Sequence, residues 1–227
     1  MNQNCPWSFL APQEYNFCET QLCGWVNQPA NTLSNVGYLI IAILIFRHKT
    51  LEKRLRNFFA GSLFFLFLGS VFFHGTGSVA GKMTDVSAMF IISMGILSLS
   101  IQRFTGWSQT KVQLFYGIGL ALSLAFLFIL KFGNVLFLAE ILLAVIFEIR
   151  AQQSGRVSME KKYFAYSIAS LILSMIIWWL DMKKILCWPD QHWFSGHGIW
   201  HILTGVAMGL LYLSYVRGRK TETSEGP

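Results

Sequence analysis

Five residues carry types and spacings that could do chemistry. Ser70 and His74 stand four apart, as do His197 and His201 in the string His197-Gly198-Ile199-Trp200-His201, and Asp85 follows the first pair. On a helix, residues four apart share one face about a turn from each other. Three imidazoles from two segments are a donor set suited to Zn²⁺, whose catalytic sites keep three protein ligands and one open position. A carboxylate beside such a centre can move a proton, and a hydroxyl can donate to a developing oxyanion. A lone His-x3-His pair has equal standing as a structural or interfacial feature. The weight here comes from the company of Ser70, His74 and Asp85.

The elements that position these residues follow from composition. Of 227 residues, 54% are apolar and 15% aromatic, with only 13% charged, against roughly a quarter charged in a soluble domain. Low-complexity disorder, collagen and nucleic-acid binding fit this poorly. Apolar stretches lie near 32–46, 58–74, 85–101, 113–130, 134–149, 164–180 and 197–216. Each is close to the roughly 20 residues that cross a bilayer as a helix, so the expected class is all-α, a seven-transmembrane-helix bundle. The first stretch is the least apolar, because Asn31-Thr32-Leu33-Ser34-Asn35 opens it, and its polar start is expected to pack inside the bundle. No basic leader with an apolar core precedes it, so the first helix is expected to direct insertion.

Lys and Arg sort by joint. Fourteen of the 18 fall on one side of this arrangement, in the runs around Arg47–Arg56, Arg103–Lys111, Arg150–Lys162 and Arg217–Lys220; Lys82, Lys131, Lys183 and Lys184 fall on the other. The positive-inside rule then puts the N-terminus on the exoplasmic side and the C-terminus in the cytoplasm. The domains expected are an exoplasmic segment 1–31, a bundle 32–216 and a short disordered tail 217–227. Cys5, Cys18, Cys23 and Cys187 all fall on the exoplasmic side, where disulfides persist. On the same topology Ser70, His74, Asp85, His197 and His201 share one depth at the exoplasmic helix ends, Asp85 heading helix three.

Intramembrane ionisable groups mark functional sites by default. Glu140, mid-span, is read equally as a head-group contact or a protonated, Asn- or Ser-paired structural carboxyl. Glu148, near Arg150, reads as a solvated charge. Asp181 reads as support or a cap, His192 as a surface-loop residue, and His48 as part of a basic loop. Trp178, Trp179, Trp188, Trp193 and Trp200 mostly fit an interfacial aromatic belt.

The order Ser70, His74, Asp85, His197, His201 resembles the pattern of a superfamily of seven-helix membrane hydrolases that includes alkaline ceramidases, adiponectin-type receptors and GPI-lipid remodelling proteins. Within it the chain is most similar to the alkaline ceramidases over nearly its full length. Supporting strings are Phe17-Cys18-Glu19 followed by Asn31 to Asn35, Trp178-Trp179-Leu180-Asp181 with Cys187 after it, and Trp200-His201-Ile202-Leu203-Thr204-Gly205. The resemblance implies zinc on His74, His197 and His201, Asp85 as the base that takes a proton from water, and Ser70 as the oxyanion donor. It implies ceramide, a membrane lipid, as substrate, with no obligate protein partner. It also implies a Cys18–Cys187 bridge, and leaves Cys5 and Cys23 without counterparts. The family's N-terminal calcium site corresponds here to Asn16, Phe17, Glu19, Gln21 and Gln28, where only Glu19 is charged. Calcium affinity depends on ligand charge, so weak binding or none is expected.

Other classes compete. A seven-helix receptor on the same scaffold would be expected to carry a sizeable soluble extension, and a retinal protein needs a Lys within 197–216, which has none. A b-type haem protein would use two histidines and leave the third, with Ser70 and Asp85, idle. A hydrolase of another acyl lipid stays open.

Overall fold

The computed structural model describes residues 5–13, 15–130 and 133–218. Lys131 and the tail segment 219–227, on which part of the charge count rests, lie outside the described residues. Among the described residues, eight α-helices follow a short 3-10 turn: α1 Pro29–Ser34, α2 Val36–Arg47, α3 Lys53–Thr76, α4 Val79–Thr105, α5 Gln109–Leu130, α6 Gly133–Gln153, α7 Lys161–Met182 and α8 Gly196–Gly218. The described residues form no strand beyond an isolated Pro12–Ser78 bridge. Counting Pro29–Arg47 as one run, six helices are long and apolar enough to cross a membrane. The α6 segment is not among them, since any stretch of it long enough to span includes Glu140 together with Glu148 and Arg150 near its C-terminal end.

Local chemistry sets the ends. Gly77 closes α3 in the left-handed region at φ 64°, where a Cβ would lie 2.7 Å from Asn27 Oδ1. Ser78 Oγ then accepts the Gly81 N–H at 3.0 Å and caps α4, as Ser does at helix starts. This cap moves the start of α4 to Val79, so Asp85 sits more than one turn inside the helix and not at its head. A Cβ on Gly81 would lie 2.6 Å from Phe73 Cα, and one on Gly69 3.1 Å from Asp85 Cα. Small residues let helix backbones approach closely in membranes, and here they press the Gly69–Phe73 face of α3, next to Ser70 and His74 in sequence, onto the start of α4. On the other flank of the site, a Cβ on Gly205 would lie 3.2 Å from Tyr38, and one on Gly209 3.2 Å from Ile41, so α8 packs closely on α2.

The chain divides into two compact units, Met1–Asp85 with Glu160–Val216, and Val86–Met159 with Arg217–Pro227. All five candidate site residues belong to the first. Its N-terminal segment is tied down by the disulfides Cys5–Cys23 and Cys18–Cys187. The second pair is the one the family resemblance implied; the first links the two cysteines it left over. Two carboxylates cap helices from elsewhere in the chain. Glu19 accepts the Ala30 and Asn31 N–H groups at 2.8 and 2.9 Å at the start of α1. Asp181 accepts His197 N–H at 3.1 Å at the start of α8 and Cys18 N–H at 3.0 Å, so the capping reading of Asp181 holds.

In the second unit Glu140 receives Ser93 Oγ at 2.5 Å and Ser123 Oγ at 2.6 Å, joining α4, α5 and α6 through a serine-paired carboxyl. Glu148 corrects the sequence expectation. It is 1% exposed and meets Arg103 Nε at 3.0 Å, not bulk water. Arg103 comes from α4, 45 residues away, so Arg150 was the wrong neighbour to weigh. Removing one partner of a buried pair strands the other, a cost of about 3–5 kcal/mol. Arg103→Ala is therefore expected to destabilise the protein by that order in detergent unfolding, and Arg103→Met with Glu148→Leu by much less; equal losses for both would contradict a desolvated pair.

Candidate metal centre

The three histidines converge. His74 comes from the last turn of α3, and His197 and His201 from the first two turns of α8. One ligand atom from each lies within 4.8 Å of the others, and all three side chains are buried. Ring centroids are 4.9 Å apart for His74 and His197, 5.0 Å for His74 and His201, and 4.5 Å for His197 and His201. The pattern read from spacing is thus a spatial cluster.

The groups behind the rings fix which nitrogen faces inward. Gln28 Nε2 donates to the Glu19 carbonyl at 2.9 Å, which orients the amide so that Oε1 meets His74 Nδ1 at 2.9 Å. An amide oxygen only accepts, so His74 Nδ1 carries the proton and Nε2 presents a lone pair. Ser34 Oγ donates its one hydrogen to the Asn31 carbonyl at 2.8 Å and therefore accepts from His201 Nδ1, also at 2.8 Å. His201 Nε2 is left buried with no hydrogen-bond partner. His74 Nε2 and His197 Nε2 are 3.2 Å apart. Zn–N bonds of about 2.0–2.1 Å in a tetrahedron put ligand nitrogens about 3.3 Å apart. His197 Nε2 can donate to His74 Nε2, but His201 Nε2 remains a buried acceptor without a partner, which is costly, and a cation would satisfy all three nitrogens. The residues present therefore fit a metal.

Ser70 and Asp85 lie on the adjoining α3 and α4 faces. Ser70 Oγ is buried and faces the Asp85 carboxyl, its neighbour across the Gly69 contact. Sequence reasoning named Gln28 and Phe17 as calcium-site positions and Ser34 within an N-terminal string, but missed their contacts with the histidines, among them the Phe17 ring stacked on His197 at 3.9 Å. A signal existed: buried amides and a hydroxyl in a segment that enters a membrane need specific partners. Trp200 stacks on His197 at 5.1 Å, so of the expected belt this one faces the site. His192 does not join the cluster; its Nδ1 meets Glu19 Oε1 at 3.1 Å. His48 Nδ1 meets Tyr212 Oη at 2.9 Å.

Sequence comparison agrees with the geometry. The sequence profile of the Ceramidase family matches residues 12–226. The chain belongs to the ceramidase family. Alkaline ceramidase 1 of Mus musculus is 27% identical over 206 residues, covering 85% of this chain and 73% of that protein. Alkaline ceramidase 1 of Homo sapiens is 24% identical over 208 residues, covering 85% and 78%. With six apolar helices of spanning length, this ceramidase-family chain is a multi-pass membrane protein.

The calcium site that the ceramidase resemblance implied does not fit these residues. Glu19 is committed to the α1 N–H groups and to His192. Gln28 Oε1 faces His74, Gln21 donates to the Gln13 carbonyl at 3.2 Å, and Asn16 donates to the Met182 carbonyl at 3.3 Å. Calcium takes six to eight oxygens, several of them anionic, and a single engaged carboxylate falls short. A site with a Kd of about 10 μM would add about 2.7 kcal/mol at 1 mM calcium. Melting in detergent is expected to be the same with and without 1 mM calcium, while Glu19→Ala loses about 1–2 kcal/mol, the scale of a helix cap. A calcium-dependent rise in melting temperature would contradict this.

Proposed function

We propose that this protein is an intramembrane zinc amidase that hydrolyses ceramide to a sphingoid base and a free fatty acid, with seven spans, its N-terminus exoplasmic and its C-terminus cytoplasmic. The observation that carries the reading is the set of inward-facing imidazole nitrogens, two of them fixed from behind, with a buried hydroxyl one helical turn from His74 that faces the buried Asp85 carboxyl. Membership of the ceramidase family supplies the substrate class.

His74, His197 and His201 would hold the ion. Zinc, when bound, supplies Lewis acidity and makes water at the site a better nucleophile. Asp85 takes a proton as water adds to the amide carbonyl, and returns it to the nitrogen as the C–N bond breaks, so the amine leaves neutral. Ser70 Oγ donates to the carbonyl oxygen as charge builds on it. The surrounding apolar helices suit two long hydrocarbon chains.

The test is mass spectrometry of products from purified protein given a panel of N-acyl and O-acyl lipids, with and without chelator, alongside zinc analysis. Fatty acid release from ceramide is expected, lost on chelation. His201→Ala is expected to lose zinc and turnover together. Asp85→Ala should keep zinc and slow turnover about 10²–10⁴-fold, and Ser70→Ala should slow it about 10²-fold or more. Unchanged turnover in His201→Ala or Asp85→Ala would reject the mechanism, and release from esters alone would reject the amidase reading.

A further inference from the structure

We propose that Phe17 is a positioning residue for the metal centre, setting the ring plane of His197; this rests on the metal reading above. His74 and His201 are each oriented by a hydrogen bond at the outer nitrogen, from Gln28 and Ser34. His197 is the exception, because its Nδ1 is buried with no hydrogen-bond partner. Its plane is held by stacking instead, with Phe17 on it at 3.9 Å and 29° and Trp200 at 5.1 Å and 21°.

The two aromatic rings are not equivalent. Trp200 stands three residues on in α8 and moves with the histidine, so it gives no reference to the rest of the fold. Phe17 comes from the N-terminal segment and is anchored by the α7–α8 joint. Its carbonyl accepts from Lys184 Nζ. The next residue, Cys18, donates its N–H to Asp181 Oδ2 at 3.0 Å and is bonded to Cys187. The other oxygen of the same Asp181 carboxylate accepts His197 N–H at 3.1 Å. One side chain thus registers the backbone beside Phe17 against the backbone of His197, and the ring contact fixes what remains free.

Groups that orient a metal ligand from behind are worth about 10–100-fold in metal affinity. The experiment measures zinc release from the full-length protein in detergent, by capture on a chromophoric chelator, with turnover followed in parallel. Phe17→Ala is expected to release zinc about 10–100-fold faster than wild type, and Phe17→Tyr, which keeps the ring, to restore retention to within about threefold of wild type on that same scale. Phe17→Leu keeps most of the volume without a ring plane and should leak like the alanine variant; it carries the test if Phe17→Ala does not fold. Melting of the metal-free proteins separates a loosened ligand from a loosened fold, with Phe17→Leu expected to match wild type. Wild-type retention in Phe17→Leu, or a Phe17→Tyr protein as leaky as Phe17→Leu, would overturn the proposal. Wild-type protein that takes up no zinc would instead overturn the metal reading itself and this one with it.

Discussion

Two hydrogen bonds behind the imidazoles govern what the centre can be. Gln28 and Ser34 each occupy the outer nitrogen of a histidine, and in doing so turn a basic lone pair toward the cluster. Within an apolar bundle there is little water to satisfy such a lone pair, so a cation suits the arrangement. The residues present thereby suit a cation before any question of which lipid the protein meets. Both donors' partners lie at or beside α1, a helix of six residues whose start is capped by Glu19. The orientation of two rings thus traces back to one carboxylate on the N-terminal segment.

That segment does more than cover the helix ends. Residues 17–19 place an aromatic ring on His197, a disulfide to Cys187 and a cap on α1, within three consecutive positions. Asp181 answers from the other side with a cap on α8 that also holds Cys18. Helix N-termini carry partial positive charge and unpaired N–H groups, and buried carboxylates are tolerated where they meet them. Two costly features, bare helix ends and buried acids, cancel each other here.

Much of this was legible in the chain. The apolar runs found the helices, and the spacing of Ser70, His74, His197 and His201 with Asp85 found the cluster, because a four-residue repeat on a helix dictates a shared face whatever the packing. Features that depend on distant partners were harder. Glu148 lay beside Arg150 in sequence, whereas its partner Arg103 arrives through the packing of α4 against α6. The start of α4 was set by Ser78, a polar residue between two glycine-rich turns that apolarity alone passes over. Gln28 and Ser34 gave only a weak sign, polar residues flanking an apolar run, since their roles exist only once α1 meets α3 and α8. Phe17 stood in a family string and at a calcium-site position, but neither pointed to its stacking on His197, which only the fold reveals.

The bridge between Cys18 and Cys187 closes 169 residues. Ser34 and His201 are likewise 167 apart. During biosynthesis the ribosome must therefore deliver almost the whole polypeptide, and the translocation machinery must leave both ends of each pair on the same membrane face, before the centre can exist. A nascent or wrongly threaded chain presents scattered imidazoles with no competent site. Connectivity alone thus delays assembly of the histidine cluster until the polypeptide is nearly complete.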